Sequence, residues 1–574
     1  MADVLFITPG DGADSDNESI GNGTLLLSTI LRENNVDVEI VTLSQFGKPD
    51  DFAAYLDSAI AFVAQRRPRI VSFYAWCDCY HIMLKIAERI KAKMDAYIVF
   101  GGPQADISAE QTISSVPYVD FVCCGEGETT IYPFFSSLLQ EGPDLSVPGL
   151  VFRREGKTVL NPRPALIADL DTLPFVDYSF LPAKPQAVSR HGFYIDVGRG
   201  CPFGCTYCST KSFWGRKFRL KSPQRIVEEI KRVYEEFGVT YFNFAHDMFT
   251  LNRASVVEVC RLIKQLDFPI TWRCSARIDC IDNELIDLMA DAGLKYIFIG
   301  IETGSVRMQK IVNKNLKLDK VLDILSHIRE KGIKTITSFI YGLPEETEED
   351  ISQTLAMIGD ILKIGGVTVQ THLCTFLSGT EMSIKYHDKL VPANIFSDLT
   401  GGTAIDECSE LIVNNPDVFC HFYEYHSELR SRLEFFSLFC RVWASLQPVF
   451  QYIAQKYPRD YLIRMYDDFV ADNRETLQGN RDKAMSEQIM QVIEKDRFVE
   501  RFKGDAFYDL IRDYYRMIVL QYSKKLQRGS VTEVFSFSPA RLKGRTSIEQ
   551  FERRLSVVTF TRNEDDLVSM HVRS

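Results

Sequence analysis

Phe193-Tyr194-Ile195-Asp196-Val197-Gly198-Arg199-Gly200-Cys201-Pro202-Phe203-Gly204-Cys205-Thr206-Tyr207-Cys208 sets an apolar run directly before three thiols that fall within eight residues. A short apolar run that stops at glycines reads as a strand, so one strand-end loop carries all three cysteines. Gly200 and Gly204 let the backbone wrap closely around a bulky group, and Pro202 stiffens the loop. A cubane iron-sulfur cluster held by three thiolates keeps one iron open to another ligand, whereas zinc usually takes four ligands in two pairs, and no second pair lies nearby. Three buried structural cysteines, or a zinc site completed by a distant histidine, are the other readings.

Working outward, strands are expected near Tyr194, Phe242, Thr271, Tyr296, Thr335 and Thr368, with helices between them. Six such units over residues 190–380 fit a partial or full (β/α) barrel. Upstream, strands at Val4 to Thr8, Val38 to Leu43, Ile70 to Trp76, Ala96 to Phe100 and Val119 to Cys124 alternate with helical stretches. They predict a doubly wound parallel sheet over residues 1–142. Prolines 143, 148, 162, 164, 174 and 182 punctuate residues 143–189, a connecting segment with a small hairpin. Residues 381–574 read as mainly helical, as in His421 to Leu446 and Phe507 to Leu526. Two β-leaning runs, Thr532 to Phe537 and Ser556 to Thr561, are expected to pair or to extend a sheet. The fold class is therefore α/β with a helical C-terminal part.

A chain of 574 residues, 45% hydrophobic and 25% charged, has room for two to four domains. A net charge of -11 argues against a general polyanion surface, so nucleic acid is not an expected partner. The N-terminus lacks a basic signal region and no stretch approaches a membrane span, which predicts a soluble cytoplasmic protein. The 14 cysteines then read as thiols, a subset of them metal ligands. Cys77, Cys79, Cys123 and Cys124 read as buried thiols, the last two on opposite faces of a strand.

The CxxxCxxC spacing at the end of the first barrel strand resembles the radical S-adenosylmethionine (SAM) superfamily over most of residues 190–380. The resemblance implies a [4Fe-4S] cluster on Cys201, Cys205 and Cys208, whose open iron binds the amino and carboxylate groups of SAM. It further implies reductive cleavage to a 5'-deoxyadenosyl radical. Tyr207 matches the position beside the adenine. Asp247, in His246-Asp247 after the second strand, matches the contact to the methionine ammonium, and Arg277 ends the third strand, where it could meet the methionine carboxylate or Glu302. Gly300-Ile301-Glu302-Thr303-Gly304 resembles the ribose-binding run. Gly342, in Tyr341-Gly342-Leu343-Pro344-Glu345-Glu346-Thr347, belongs to the turn that shapes the adenine pocket.

The strand ends of the upstream sheet carry Pro9-Gly10-Asp11-Gly12, Trp76, Gly101-Gly102-Pro103 and Gly125-Glu126-Gly127-Glu128. Pro9-Gly10-Asp11-Gly12 does not supply the GxGxxG of a dinucleotide site. Placed before CxxxCxxC, these runs resemble the cobalamin-binding, Rossmann-like domain of cobalamin-dependent radical SAM enzymes. The resemblance implies cobalamin contacts from Pro9, Gly10, Trp76, Gly101, Gly102, Pro103, Gly125, Glu126, Gly127 and Glu128. DxHxxG is absent, so no protein histidine is expected beneath the cobalt. The implied activity is C-methylation of an unactivated carbon in a peptide or natural-product intermediate, with an external electron donor such as flavodoxin or ferredoxin. Cyclisation or rearrangement without methyl transfer, a cobalamin or redox sensor, and methylthiolation are the competing readings.

Overall fold

The computed structural model describes residues 2–10, 20–47, 51–140, 142–181, 192–393, 406–427, 429, 436, 449–478, 509, 511–513, 530–537, 553–562 and 568–573. Strands β1 (Val4–Thr8), β2 (Val38–Thr42), β3 (Ile70–Tyr74), β4 (Tyr97–Gly101) and β5 (Phe121–Cys123) pair in parallel. A hairpin of β6 (Leu150–Arg154) and β7 (Lys157–Leu160) then joins the β5 edge antiparallel, giving the order β2-β1-β3-β4-β5-β6-β7. The hairpin expected in the connecting segment thus extends the first sheet. The order 2-1-3-4-5 reverses between β1 and β3, and ligands bind such sheets in the crevice outside the carboxyl ends of the strands there.

Both faces of this sheet are packed, one by Phe73, Phe100 and Tyr80, the other by Phe6, Phe121 and Phe135. Burial on two faces explains why its strands read as continuous apolar runs. Cys124 lies in the first core and Cys123 packs against the second, and burial pushes the Cys123 thiol up to about 12.

A second sheet follows, begun by β8 (Phe193–Asp196); β9 (Gly198–Arg199) and β10 (Arg219–Leu220) form a separate antiparallel pair, and β11 (Tyr241–Ala245), β12 (Thr271–Ala276), β13 (Leu294–Glu302), β14 (Lys334–Tyr341) and β15 (Val367–Leu373) complete the sheet. The six main strands lie in the order β15-β14-β13-β12-β11-β8, as expected of a partial barrel. Local chemistry sets the helices between them. Helix 223–237 starts at Ser222, whose hydroxyl accepts from the Arg225 N–H at 3.1 Å, has Pro223 in its first turn, and stops at left-handed Gly238. Helix 348–364 is opened by a Thr347/Asp350 capping box.

The chain divides into two compact units: residues 1–297, 311–314 and 374–426, and residues 298–310, 315–373 and 427–574. In the first unit β16 (Leu390–Pro392) pairs with β17 (Tyr423–Tyr425), and Phe419 and Phe422 join the core of the first sheet. In the second unit, helix 461–478 is described, and β18 (Ser530–Phe537), β19 (Arg553–Arg562) and β20 (Val568–Arg573) form an antiparallel sheet. The two β-leaning runs do pair, and β20 is an addition. Most of 421–446 and 507–526 lies outside the described residues.

Candidate active site

Within the first unit, a cavity of about 800 Å3 opens at the carboxyl ends of β3, β4 and β5. Trp76, Gly101, Gly102, Pro103, Gly125, Glu126, Gly127 and Glu128 line it, all of them expected from the sequence. Pro9 and Gly10 are not among the lining residues, and Asp11 and Gly12 lie outside the described residues. The opposite wall comes from the second sheet and its loops: Asp196, Gly198, Arg199, Gly200, Trp214, His246 and Asp247.

The glycines of this cavity differ in what they do. At Gly101 a Cβ would meet only the Cys123 carbonyl oxygen, at 3.8 Å, so its missing side chain leaves usable space. Gly102 is a backbone requirement: its φ is +87°, and a Cβ would lie 2.9 Å from the Ala75 nitrogen.

Glu126 and Glu128 also line the cavity, yet their carboxylates are engaged by protein cations. Arg199 donates to Glu126 at 2.7 Å and to Glu128 at 2.5 Å, and Arg219 donates to the other Glu126 oxygen at 2.9 Å. The Ile167 N–H adds a bond to Glu126 at 2.6 Å. Only 1% of the Glu126 side chain is exposed and 7% of Arg199. Burial alone would raise the Glu126 pKa, but the bonds from Arg219 and Arg199 outweigh it and hold the group below its ordinary value. Trp214 lies 5.5 Å from Arg199 and 5.8 Å from Arg219 in cation-π range. The end of β5 is thereby tied to the strand that leads into the cysteine loop. Sequence reading missed Arg199 and Arg219 because their partner lies 73 and 93 residues upstream. The available signal was an arginine between two glycines beside the first cysteine.

The cysteine loop follows β9. Gly200 has a φ of +82°, and a Cβ there would stand 1.9 Å from the Lys217 carbonyl oxygen, so the loop admits no side chain at that point. Asn313 donates to the Gly204 carbonyl at 2.9 Å, and the Thr206 N–H to Val312 at 3.0 Å, which pin the loop. Cys201, Cys205 and Cys208 are half-buried thiols. Burial pushes Cys201 up to about 11 and raises Cys208, so metal loading must release protons. Among the described residues no three His, Cys, Asp or Glu side chains converge on a single ion.

Tyr207 sits half-buried in the same loop, and Asp247 accepts from Thr210 at 3.3 Å. Arg277 stacks 4.0 Å from the Phe203 ring centre, with Nη1 4.0 Å from the Cys205 sulfur. Its guanidinium forms a two-pronged pair with Asp279 at 2.8 and 2.9 Å, a partner the sequence reading did not name. In the second unit, Gly300 is buried in β13, and Glu302 ends that strand, buried and with a φ of +72°. Gly342 has a φ of +74° and donates to the Glu346 carboxyl at 2.7 Å.

Residues 195–358 match the radical SAM superfamily and residues 12–133 the B12 binding domain. The chain is therefore a radical SAM enzyme preceded by a B12 binding domain. It belongs to the cobalamin-dependent branch of the radical SAM family, and its cofactors are a [4Fe-4S] cluster, SAM and cobalamin. An uncharacterized methyltransferase of Pyrococcus horikoshii is 29% identical over 58% of this chain and 72% of its own. The anaerobic magnesium-protoporphyrin IX monomethyl ester cyclase of Rubrivivax gelatinosus is 27% identical over 48% of this chain, which spans 51% of that relative. The fold is that of the radical SAM methyltransferase TsrM from Kitasatospora setae, solved with cobalamin and a [4Fe-4S] cluster: TM-score 0.55, 15% identity, covering 82% of this chain and 100% of that one. Among the described residues, no helix is long and apolar enough to cross a membrane.

Proposed function

We propose that this chain is a C-methyltransferase that acts on an unactivated carbon of a peptide or small natural-product intermediate. One observation carries the reading: a single cavity is walled on one side by the glycine-bearing ends of the first sheet and on the other by Gly198, Gly200 and Asp247 beside the cysteine loop. A methyl carrier in that cavity, with a radical source on the adjoining cysteine loop, suits methyl transfer to a carbon that has no acidic proton.

When bound, the cluster supplies the electron that cleaves SAM, and cobalamin carries the methyl group. Cys201, Cys205 and Cys208 hold the cluster in this reading. Asp247 receives the methionine ammonium, Arg277 the methionine carboxylate side, Tyr207 and Gly342 the adenine, and Gly300 and Glu302 the ribose, whose hydroxyls donate to the carboxylate. Gly101, Gly102, Pro103, Gly125, Gly127 and Trp76 form the cobalamin wall. Glu126 and Glu128 support that wall through Arg199.

The test is anaerobic reconstitution with iron, sulfide and cobalamin, followed by SAM, reductant and mass spectrometry of the products. Cys205→Ala is expected to lose 5'-deoxyadenosine formation entirely; formation at the wild-type rate overturns the cluster assignment. Gly101→Val, which fills open space, is expected to fold normally and lose cobalamin uptake. Uptake at the wild-type level overturns the cobalamin wall. The cyclase relatives support a second reading, rearrangement without methyl transfer. S-adenosylhomocysteine and a methylated product decide for the first, and their absence alongside 5'-deoxyadenosine decides for the second.

A further inference from the structure

Cys205 and Cys208 line a second cavity in the first unit, of about 640 Å3, which the methyl-transfer reading does not use. Its walls include Arg163, Lys211 and Lys385, against one carboxylate, Glu381. Arg163 pairs with the buried Asp106, Lys211 reaches Glu381 at 3.4 Å, and Lys385 donates to the Tyr386 hydroxyl at 2.7 Å. Exposed Arg216 and Lys217 add two more cations beside the cysteine loop. The Arg216 guanidinium lies 2.1 Å from where a Gly204 Cβ would stand. This cationic rim belongs to a chain whose net charge is -11. Its apolar element is Ile384, 71% exposed, with Ile107 lining the same opening.

We propose that this surface docks an acidic one-electron donor protein and admits its electron on the Cys205 and Cys208 side of the loop. The proposal rests on the cluster assignment. A cationic rim that concentrates an acidic partner, with one exposed aliphatic to seat it, is the anatomy of a fast, short-lived electron-transfer contact. The step makes and breaks no bond. The donor's reduced flavin loses one electron, and the cluster gains it, passing from [4Fe-4S]2+ to [4Fe-4S]1+. Ordinary surface lysines would give no such focus, since an acidic protein repels an acidic partner elsewhere on its surface.

The test uses the reconstituted full chain with recombinant flavodoxin in its fully reduced form as the probe, and dithionite as a small-molecule control. Lys385→Glu, and the pair Lys211→Glu with Lys385→Glu, are expected to raise the flavodoxin KM for 5'-deoxyadenosine formation by about tenfold or more, with the largest effect at low salt. The dithionite-driven rate stays at the wild-type value. Zero-length carbodiimide cross-linking, mapped by mass spectrometry, is expected to join Lys211 or Lys385 to flavodoxin carboxylates. An unmoved flavodoxin KM, or cross-links confined to other lysines, overturns the proposal. So does tight binding of inorganic phosphate at this rim without any effect on flavodoxin, which marks a small-anion site instead. A wild-type chain that shows no cluster spectrum with dithionite refutes the cluster assignment itself, a separate failure.

Discussion

Two turns leave parallel strands in the same way and shift their glutamates in opposite directions. After β5, Gly125-Glu126-Gly127-Glu128 places Glu126 under Arg199 and Arg219, where it is held ionised below its ordinary value. After β14, Gly342-Leu343-Pro344-Glu345-Glu346 buries Glu346, and burial pushes it up to about 8, against the Gly342 N–H bond that favours the charge. The residue type and the strand-end position are shared. The difference is where the cation lands: Arg199 and Arg219 donate directly to Glu126, whereas Arg307 beside the second turn donates to the Glu345 carbonyl and pairs with Asp350, leaving burial to decide for Glu346.

Removing the charge from the first turn is the most damaging way to break this contrast. Glu126→Gln leaves Arg219 and half of Arg199 buried without their counter-charge, and unpairing a buried ion costs about 3 kcal/mol. Glu128 still faces Arg199, which keeps the figure at that lower bound. Urea unfolding followed by tryptophan fluorescence measures it: a large drop in midpoint is expected, and an unchanged midpoint would show that the network contributes nothing. Glu126→Gln should also weaken cobalamin retention, because the strand-end wall loses its tie to Arg199.

These partners explain what the sequence could and could not reveal. All eleven parallel strands among the described residues were legible, since buried strands must be apolar and their turns need glycine or proline. The cysteine triplet was legible because its ligands are adjacent in sequence. Arg199 was not, because an ion pair across 73 residues has no local pattern. Arg277 illustrates the same limit: its strand-end position was readable, while its pairing with Asp279 depends on how the loop turns. The hairpin of β6 and β7 was readable as a hairpin, but its addition to the first sheet is set by the exposed edge of β5.

The pH dependence sharpens the comparison with opposite signs. Glu126 has a depressed folded pKa, so its contribution is present above the unfolded value near 4.5 and is lost as pH falls through the folded value. Asp350, drawn down to about 2, behaves in the same way: burial opposes the charge, but bonds from Arg307, Ser305 and Thr347 outweigh it. Acidification from pH 4 towards pH 2 should therefore destabilise the wild-type chain. Asp350→Asn should flatten part of that loss, and an identical acid limb in the variant would show that the Arg307 pair is thermodynamically silent.

Glu346 runs the other way and gives the smallest effect near pH 5. Its folded pKa is raised, so between the ordinary 4.5 and about 8 the folded state keeps a proton that the unfolded state has released. Over that window stability falls as pH rises. Gln mimics the protonated carboxyl in size and still accepts from the Gly342 N–H, so Glu346→Gln should move stability near pH 5 by less than about 1 kcal/mol. As pH rises from 5 towards 8 the variant should become the more stable protein, because it has no proton to hold and no charge to bury. The two unfolding curves then cross as pH rises. Parallel curves would mean that Glu346 is ionised in the folded chain, which would erase its difference from the first turn.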